Sequence, residues 1–368
     1  MRDKLISITF LIFIFAFPIL SLINKSEISY SERRTLATMP NFNWNTIKSK
    51  QFMQSLDNYV TDHFYNREWF RKIKASSNFY LFGHKTYNDL FKKDEHIFKL
   101  NDLSLEDAIS FANKIKILYD KYLKELDPHL AIIPDKLYYL NNGEYLLPDY
   151  DTFYETLQDE LPFFEFIELR DVLDLDSYYY TDPHWRQEKL FSVLEKLSLT
   201  MNFEIADYPD LVESFPDFYG AYYGQLGLGG ESEELIYLDS DLFGKVKVNY
   251  LDSSVETIYN PDKINTIDPY EVYLNGATSY VTIENPLSNN DKELIIFRDS
   301  YASSLTPLLV ASYKKITLID LRYLDISYLD STPFIGILNS SKNKDKDVDV
   351  LLLYSTLIIE NHETLKIR

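Results

Sequence analysis

The sequence predicts an α/β domain in which a parallel sheet carries helices on both faces. Three observations carry that expectation. Segments 294–297, 316–319 and 348–353 are almost wholly apolar, the texture of strands buried on both sides rather than one. Stretches with helical spacing alternate with such strands, the pattern of strand–helix–strand units. With 368 residues, 45% hydrophobic and 15% aromatic, the chain can also bury a large core.

The elements follow in order. Residues 5–23 form an uninterrupted apolar run, with Arg2 and Lys4 before it and Asn24 and Lys25 after it. About 19 helical residues at about 1.5 Å each reach about 28 Å, enough for a bilayer core. The flanking positive charges place the rest of the chain outside the cytoplasm. No small-x-small pattern follows the run, so residues 1–24 read as an uncleaved N-terminal membrane anchor of a single-pass protein.

Residues 25–90 read as a juxtamembrane helical segment. Its extended start, Ser31-Glu32-Arg33-Arg34-Thr35-Leu36-Ala37, leads to a helix-like stretch over 44–79. There Phe52, Leu56, Tyr59, Val60 and Phe64 recur at helical spacings. The α/β domain is expected over 91–368. Its strands are expected at 96–100, 130–133 and 164–169, and its helices at 105–126, 144–157 and 186–201. A loop-rich stretch over 205–282 holds short strands at 235–238, 246–250 and 280–283. Strand 294–297, helix 301–312 and strands 316–319 and 348–353 complete the domain.

Composition removes several functions. A net charge of −20 repels polyanions, and no Lys/Arg stripe is present to release counterions, so nucleic acid is not expected as a partner. The Lys-rich stretch 341–347 is interrupted by aspartates and reads as a solvated loop. The absence of cysteine excludes thiol catalysis, disulfides and Cys-based metal sites. With 10 glycines, the one dense cluster, Gly227-Leu228-Gly229-Gly230, lacks both the Lys-Ser/Thr of a P-loop and the strand of a dinucleotide fingerprint. No cofactor is expected.

Two stretches carry chemistry. In Arg298-Asp299-Ser300-Tyr301, Ser300 sits where an apolar strand gives way to a helix, a place where ligands collect in parallel sheets. There a hydroxyl can face a cleft while free helix N–H groups face developing negative charge. The alternative is a plain helix N-cap. In Thr181-Asp182-Pro183-His184-Trp185, proline holds Asp182 out of helical geometry, so its carboxylate can turn back to His184 Nδ1. Nε2 is then free for the Ser300 hydroxyl, and Trp185 would wall the cleft and meet substrate. Here too a capped helix start is an alternative, as is a metal site. No second histidine lies at ligand spacing, so no metal is expected.

These two stretches together resemble the bacterial DHHW protein family, related to the SGNH-hydrolase-like O-acetyltransferases of alginate acetylation. Further stretches extend the resemblance over nearly the whole chain. They are Ser31 to Ala37, Asp62-His63-Phe64-Tyr65-Asn66-Arg67, Ile133-Pro134-Asp135-Lys136 and Asp320-Leu321-Arg322-Tyr323. The resemblance implies an SGNH-like, flavodoxin-like sheet with permuted strand order, since the Asp-His pair precedes the serine. It implies Ser300 as nucleophile, His184 as base and Asp182 as orienting acid. Tyr301, Gly220 and Arg322 are the supporting or oxyanion candidates, with Asn339, and Arg298 stands where the family pattern has glycine.

The implied activity is extracytoplasmic O-acyl transfer, acetyl above all, or ester hydrolysis on a cell-surface polysaccharide. A membrane-bound O-acyltransferase would donate the acyl group. A non-catalytic carbohydrate-binding or assembly protein is the competing expectation.

Overall fold

The computed structural model describes residues 2–23, 26–140, 143, 145–205, 211–251, 253–331, 334–336 and 347–368. The chain begins with helix α1 (Arg2–Ile23) and a hairpin of β1 (Ile28–Ser29) and β2 (Arg34–Thr35). Helices α2 (Trp44–Lys48), α3 (Gln51–Asp62) and α4 (Arg67–Ser76) follow, then a hairpin of β3 (Leu90–Lys93) and β4 (His96–Lys99). The first half of the domain comprises α5 (Leu105–Leu118), β5 (Pro128–Ile133), α6 (Tyr150–Glu160), β6 (Glu165–Ile167) and α7 (Phe191–Met201). Strand β7 (Leu211–Phe218), helix α8 (Ala221–Leu226) and strand β8 (Glu233–Asp239) form an outlying unit. The second half is β9 (Lys247–Tyr250), β10 (Tyr280–Glu284), β11 (Glu293–Arg298), α9 (Ala302–Leu309), β12 (Lys315–Ile319), β13 (Val348–Ser355) and α10 (Thr356–Glu360).

Seven strands make the central sheet, in the order β6-β5-β13-β11-β12-β10-β9. The first five run parallel, each in register with its neighbour. Counted from β11, those five read 2-1-3-4-5, the flavodoxin-like order. The chain instead starts at the fourth of them, so the permutation implied by the motif order is present in the topology.

The strand pattern builds two cores, because alternate side chains point to opposite faces. Leu294 and Ile296 of β11 pack with Leu351 and Leu353 of β13 under α7 and α9. Ile295 and Phe297 join Leu352 and Tyr354 on the other face, under α5 and α6. Helix α5 buries Ala108, Phe111, Ala112, Ile115 and Leu118, a stripe at helical spacing, behind a Ser104–Asp107 capping box. Each large apolar side chain so buried contributes about 1.5–3 kcal/mol.

The sequence expectations differ from this architecture in five places. Strands β10 and β9 run antiparallel at the edge; β10 alternates buried and half-buried residues, which an antiparallel strand with one wetter face tolerates. Residues 96–99 and 233–239 belong to separate two-stranded units rather than to the main sheet. The helix-like stretch 44–79 is broken at Lys50 and Asn66, both in the left-handed region, into three helices. Helix α6 starts only at Tyr150, where Asp149 caps it just after Pro148. Helix α7 starts at Phe191, not directly after the Asp-Pro-His-Trp stretch, because that stretch is held as a loop. Asn339 and most of the Lys-rich stretch lie outside the described residues. Residues 2–23 are one helix, yet among the described residues, which omit several of its side chains, no helix is long and apolar enough to cross a membrane.

Candidate active site

Ser300 lies two residues beyond the end of β11, just before α9. Its hydroxyl does not cap the helix. It lies 2.8 Å from His184 Nε2, and His184 Nδ1 lies 2.6 Å from Asp182 Oδ1. An ionised carboxylate only accepts, so Nδ1 carries the proton and Nε2 accepts from the serine hydroxyl. Asp182 has no exposed surface, whereas Ser300 and His184 reach solvent, the imidazole being 13% exposed. The three side chains that the two motifs supply are therefore brought into one continuous hydrogen-bonded chain.

The place is the crevice between β11 and β13, where the flavodoxin-like order reverses direction. Asp299 closes the crevice from below: Oδ2 accepts from Ser355 N and Oγ, each at 2.7 Å, and Oδ1 accepts from Tyr301 N at 2.9 Å. Thr356 donates to Asp135 at the end of β5, which ties the ends of three parallel strands together.

The Asp182 loop is a hairpin-like excursion. Tyr178 bridges Trp185, Tyr179 N donates to the His184 carbonyl, and Arg186 N donates to the Ser177 carbonyl. Two buried charges hold the strand leading into it. Lys136 Nζ donates to the carbonyls of Tyr179 and Tyr180, and Glu233 accepts from the N–H groups of Tyr180 and Thr181 and from the Thr181 hydroxyl. Burial pushes the Lys136 ammonium down and the Glu233 carboxyl up. Purely accepting partners for one and donating partners for the other favour the ionised pair.

Asp182 is also more than an N-cap. Its Oδ1 accepts from His184 N, and its Oδ2 accepts from Ala221 N at 2.8 Å and pairs with Arg33 Nη1 at 3.1 Å. Burial alone would raise this carboxyl. Arg33, His184 and the Ala221 N–H outweigh it and hold the group well below the usual carboxylate range.

The four supporting candidates each engage a partner within the domain. Trp185 is 0% exposed, so it cannot meet substrate; its indole N–H donates to the Tyr301 carbonyl and to Ser304 Oγ, anchoring the loop to the start of α9. Tyr301 N–H is committed to Asp299 and its hydroxyl to the Pro183 carbonyl, so it positions the loop rather than an oxyanion. Gly220 N–H donates to Thr181 Oγ1, and it too is taken. Glycine is required there for space: a Cβ would lie 2.2 Å from the Thr181 carbonyl carbon and oxygen. Arg322 forks onto Asp320 at the end of β12, where its guanidinium is engaged with that carboxylate rather than with Asp182, His184 or Ser300. Arg298, in the family's glycine position, is buried and spans from Ser303 Oγ to Thr278. Among the described residues no group of His, Cys, Asp and Glu could hold a metal ion.

Two residues of the site carry no sequence signal of their role that spacing could supply. Arg33, in the left-handed region at φ 52°, joins Asp182, Asp268 Oδ1 at 2.9 Å and the Tyr219 carbonyl at 2.7 Å. It comes from the Ser-Glu-Arg-Arg stretch, whose membership of the family pattern is the one available pointer. Tyr270 stacks on the His184 ring at 3.9 Å and 12°, its hydroxyl 2.8 Å from Ser304 Oγ. Nothing marks it among 30 tyrosines.

Fold and site together define a class: a permuted, flavodoxin-ordered α/β domain with an acid, an imidazole and a hydroxyl aligned at its switch point. A DHHW family protein from Eubacterium siraeum shares the fold at a TM-score of 0.62 and 18% identity, over 76% of this chain and 96% of that one. PatB1 of Bacillus cereus, solved with a sulfonyl adduct, shares it at a TM-score of 0.54 and 17% identity, over 73% of this chain and 95% of that one. The O-acetyltransferase domain of Pseudomonas putida AlgJ also matches, at a TM-score of 0.40 and 13% identity, over 73% and 90% of the two chains. No protein-family model matches the sequence, and no curated protein matches it. The DHHW resemblance read from the motifs holds at the level of the fold.

Proposed function

We propose that this chain is an extracytoplasmic serine O-acyltransferase or esterase, acting with acetyl groups on a cell-surface polysaccharide. The observation that carries the reading is the hydrogen-bonded chain from buried Asp182 through His184 to the solvent-reachable Ser300 hydroxyl. Ser300 Oγ attacks the acyl carbonyl as its proton passes to Nε2, and the donor's leaving group then departs with that proton. The acyl-serine is next attacked by a sugar hydroxyl, or by water, with His184 taking the incoming proton and returning it to Ser300. Asp182 holds the tautomer and stabilises the imidazolium in both halves.

The acetyl and polysaccharide assignments are supported by the motif resemblance. An activated nucleophile is supported further by the sulfonyl adduct of the PatB1 structure, since sulfonyl electrophiles capture activated nucleophiles. In this reading residues 1–24 tether the domain outside the cytoplasm, residues 25–90 connect it, and a membrane-bound acyl donor serves it.

The test is labelling of the folded protein by a sulfonyl fluoride together with hydrolysis of an aryl acetate. Both are expected in the native chain and absent in Ser300→Ala, with turnover down on the order of 10⁴- to 10⁶-fold. A folded native protein that neither labels nor turns over would return the chain to the carbohydrate-binding reading.

A further inference from the structure

Helices α2 and α3 have no buried side chain, and α4 has only Ala75. A helix is held in a soluble domain by burying an apolar face, and these bury theirs only in part: Phe52, Leu56, Tyr59 and Phe70 are half-buried, whereas Met53, Val60, Trp69 and Ile73 are exposed. Phe42 is 67% exposed, Trp44 69%, Trp69 52% and Tyr80 83%. Phe42 packs edge-on against Trp44 and Phe52, a small aromatic cluster outside every core of the domain. Ile73 lies 4 residues beyond Trp69 on α4, which at about 100° per residue puts the two within about 40° of one line along the helix.

Three further observations say what covers this face. Residues 44–82 hold six lysines and arginines against three acids, within a chain of 37 against 57. The segment is thus locally basic in an acidic protein. The end of α1 meets the turn between α3 and α4, where Tyr65 N donates to Ser21 Oγ at 2.9 Å. The exposed large side chains include two of the chain's three tryptophans, the residue type that settles at bilayer interfaces.

We infer that α2 to α4 dock on the surface of an anionic lipid bilayer. Their aromatic face enters the headgroup boundary and their lysines meet the lipid phosphates. This rests on the reading of α1 as a membrane anchor and is independent of the chemistry of Ser300. It gives the domain a fixed mount on the bilayer. Through β1 and β2, which carry Arg33 to Asp182, the catalytic crevice would then be held at a set height above the lipid.

The tryptophans make the test specific. Helix α1 has none, Trp185 is buried, and only Trp44 and Trp69 can report on lipid. The full chain is reconstituted into phosphatidylglycerol–phosphatidylcholine vesicles, with and without bromine on the upper acyl chains. The expected result is flotation with the vesicles, loss of tryptophan emission in the brominated ones, and disappearance of that loss in Trp44→Phe/Trp69→Phe. Flotation without quenching overturns the docking while leaving the anchor intact, and so does exposure of Trp44 and Trp69 to aqueous iodide, the outcome expected for a face reserved for a protein partner. Quenching that persists in the double variant also overturns it. Failure to float removes the anchor reading and the docking with it. Sulfonyl labelling of Ser300 in detergent is expected to be unchanged in the double variant, which keeps this test separate from that of the enzyme.

Discussion

Asp182 carries a full charge with no exposed surface, a state that costs several kcal/mol unless the charge is paired. Arg33 supplies the pairing from nearly 150 residues upstream, with Asp268 sharing its guanidinium and Lys136 contributing at longer range. In Arg33→Met the largest influence lowering the Asp182 carboxyl is lost, and the carboxyl rises. The acid limb of the pH–rate profile is expected to move to higher pH, with Arg33→Lys shifting it less because the charge stays. Measuring kcat against pH for the three proteins checks this; unchanged limbs with a uniform loss of rate would leave Arg33 a purely structural role. Ser300, His184 and Asp182 are legible in the sequence because histidine is scarce and each motif sits at a recognisable junction. Arg33 and Tyr270 are not, because a second layer of contacts is set by how distant segments fold together, which spacing along the chain does not encode. Trp185 is misplaced for a related reason: aromatic bulk beside a motif fits a wall and an anchor equally, and only its indole N–H partners decide between them.

At the scale of elements, the hairpin of β3 and β4 braces the Asp182 loop, since Ile97 N donates to the Tyr180 carbonyl and the His96 ring packs edge-on against Tyr180. Burial, with the charges of Lys136 and Arg186, pushes His96 down from 6.5 to about 4. An unfolded chain therefore binds more protons than the folded one between those values, and stability is full above about 6.5 and falls as the pH drops towards 4. Urea unfolding at pH 7 and pH 5 should show this loss in the native chain and a smaller one in His96→Phe. Strands β11 and β13 are legible because a short, uninterrupted apolar run that ends at polar residues suits a strand covered on both faces. Strand β7 is not, because seven of its eight residues are not buried and its sequence carries no signal of pairing. The left-handed break at Lys50 is hidden because lysine seldom adopts that conformation.

At the scale of the molecule, β13 lies between β5 and β11, although it is the last of the seven strands in sequence. It joins the two halves of the sheet and, through Ser355, holds Asp299, the residue before Ser300. Truncation after residue 347 is expected to abolish both the cooperative unfolding transition and sulfonyl labelling, whereas loss of a peripheral strand would leave one of them. The permuted order is legible only through the order of the motifs, and the fold makes it concrete.

Without β13 the sheet would be two pieces, β6-β5 and β11-β12-β10-β9, each with an unpaired inner edge. Ser300 follows β11 on one piece and Asp182 and His184 follow β6 on the other, so the hydrogen-bonded chain between them spans the seam that β13 fills.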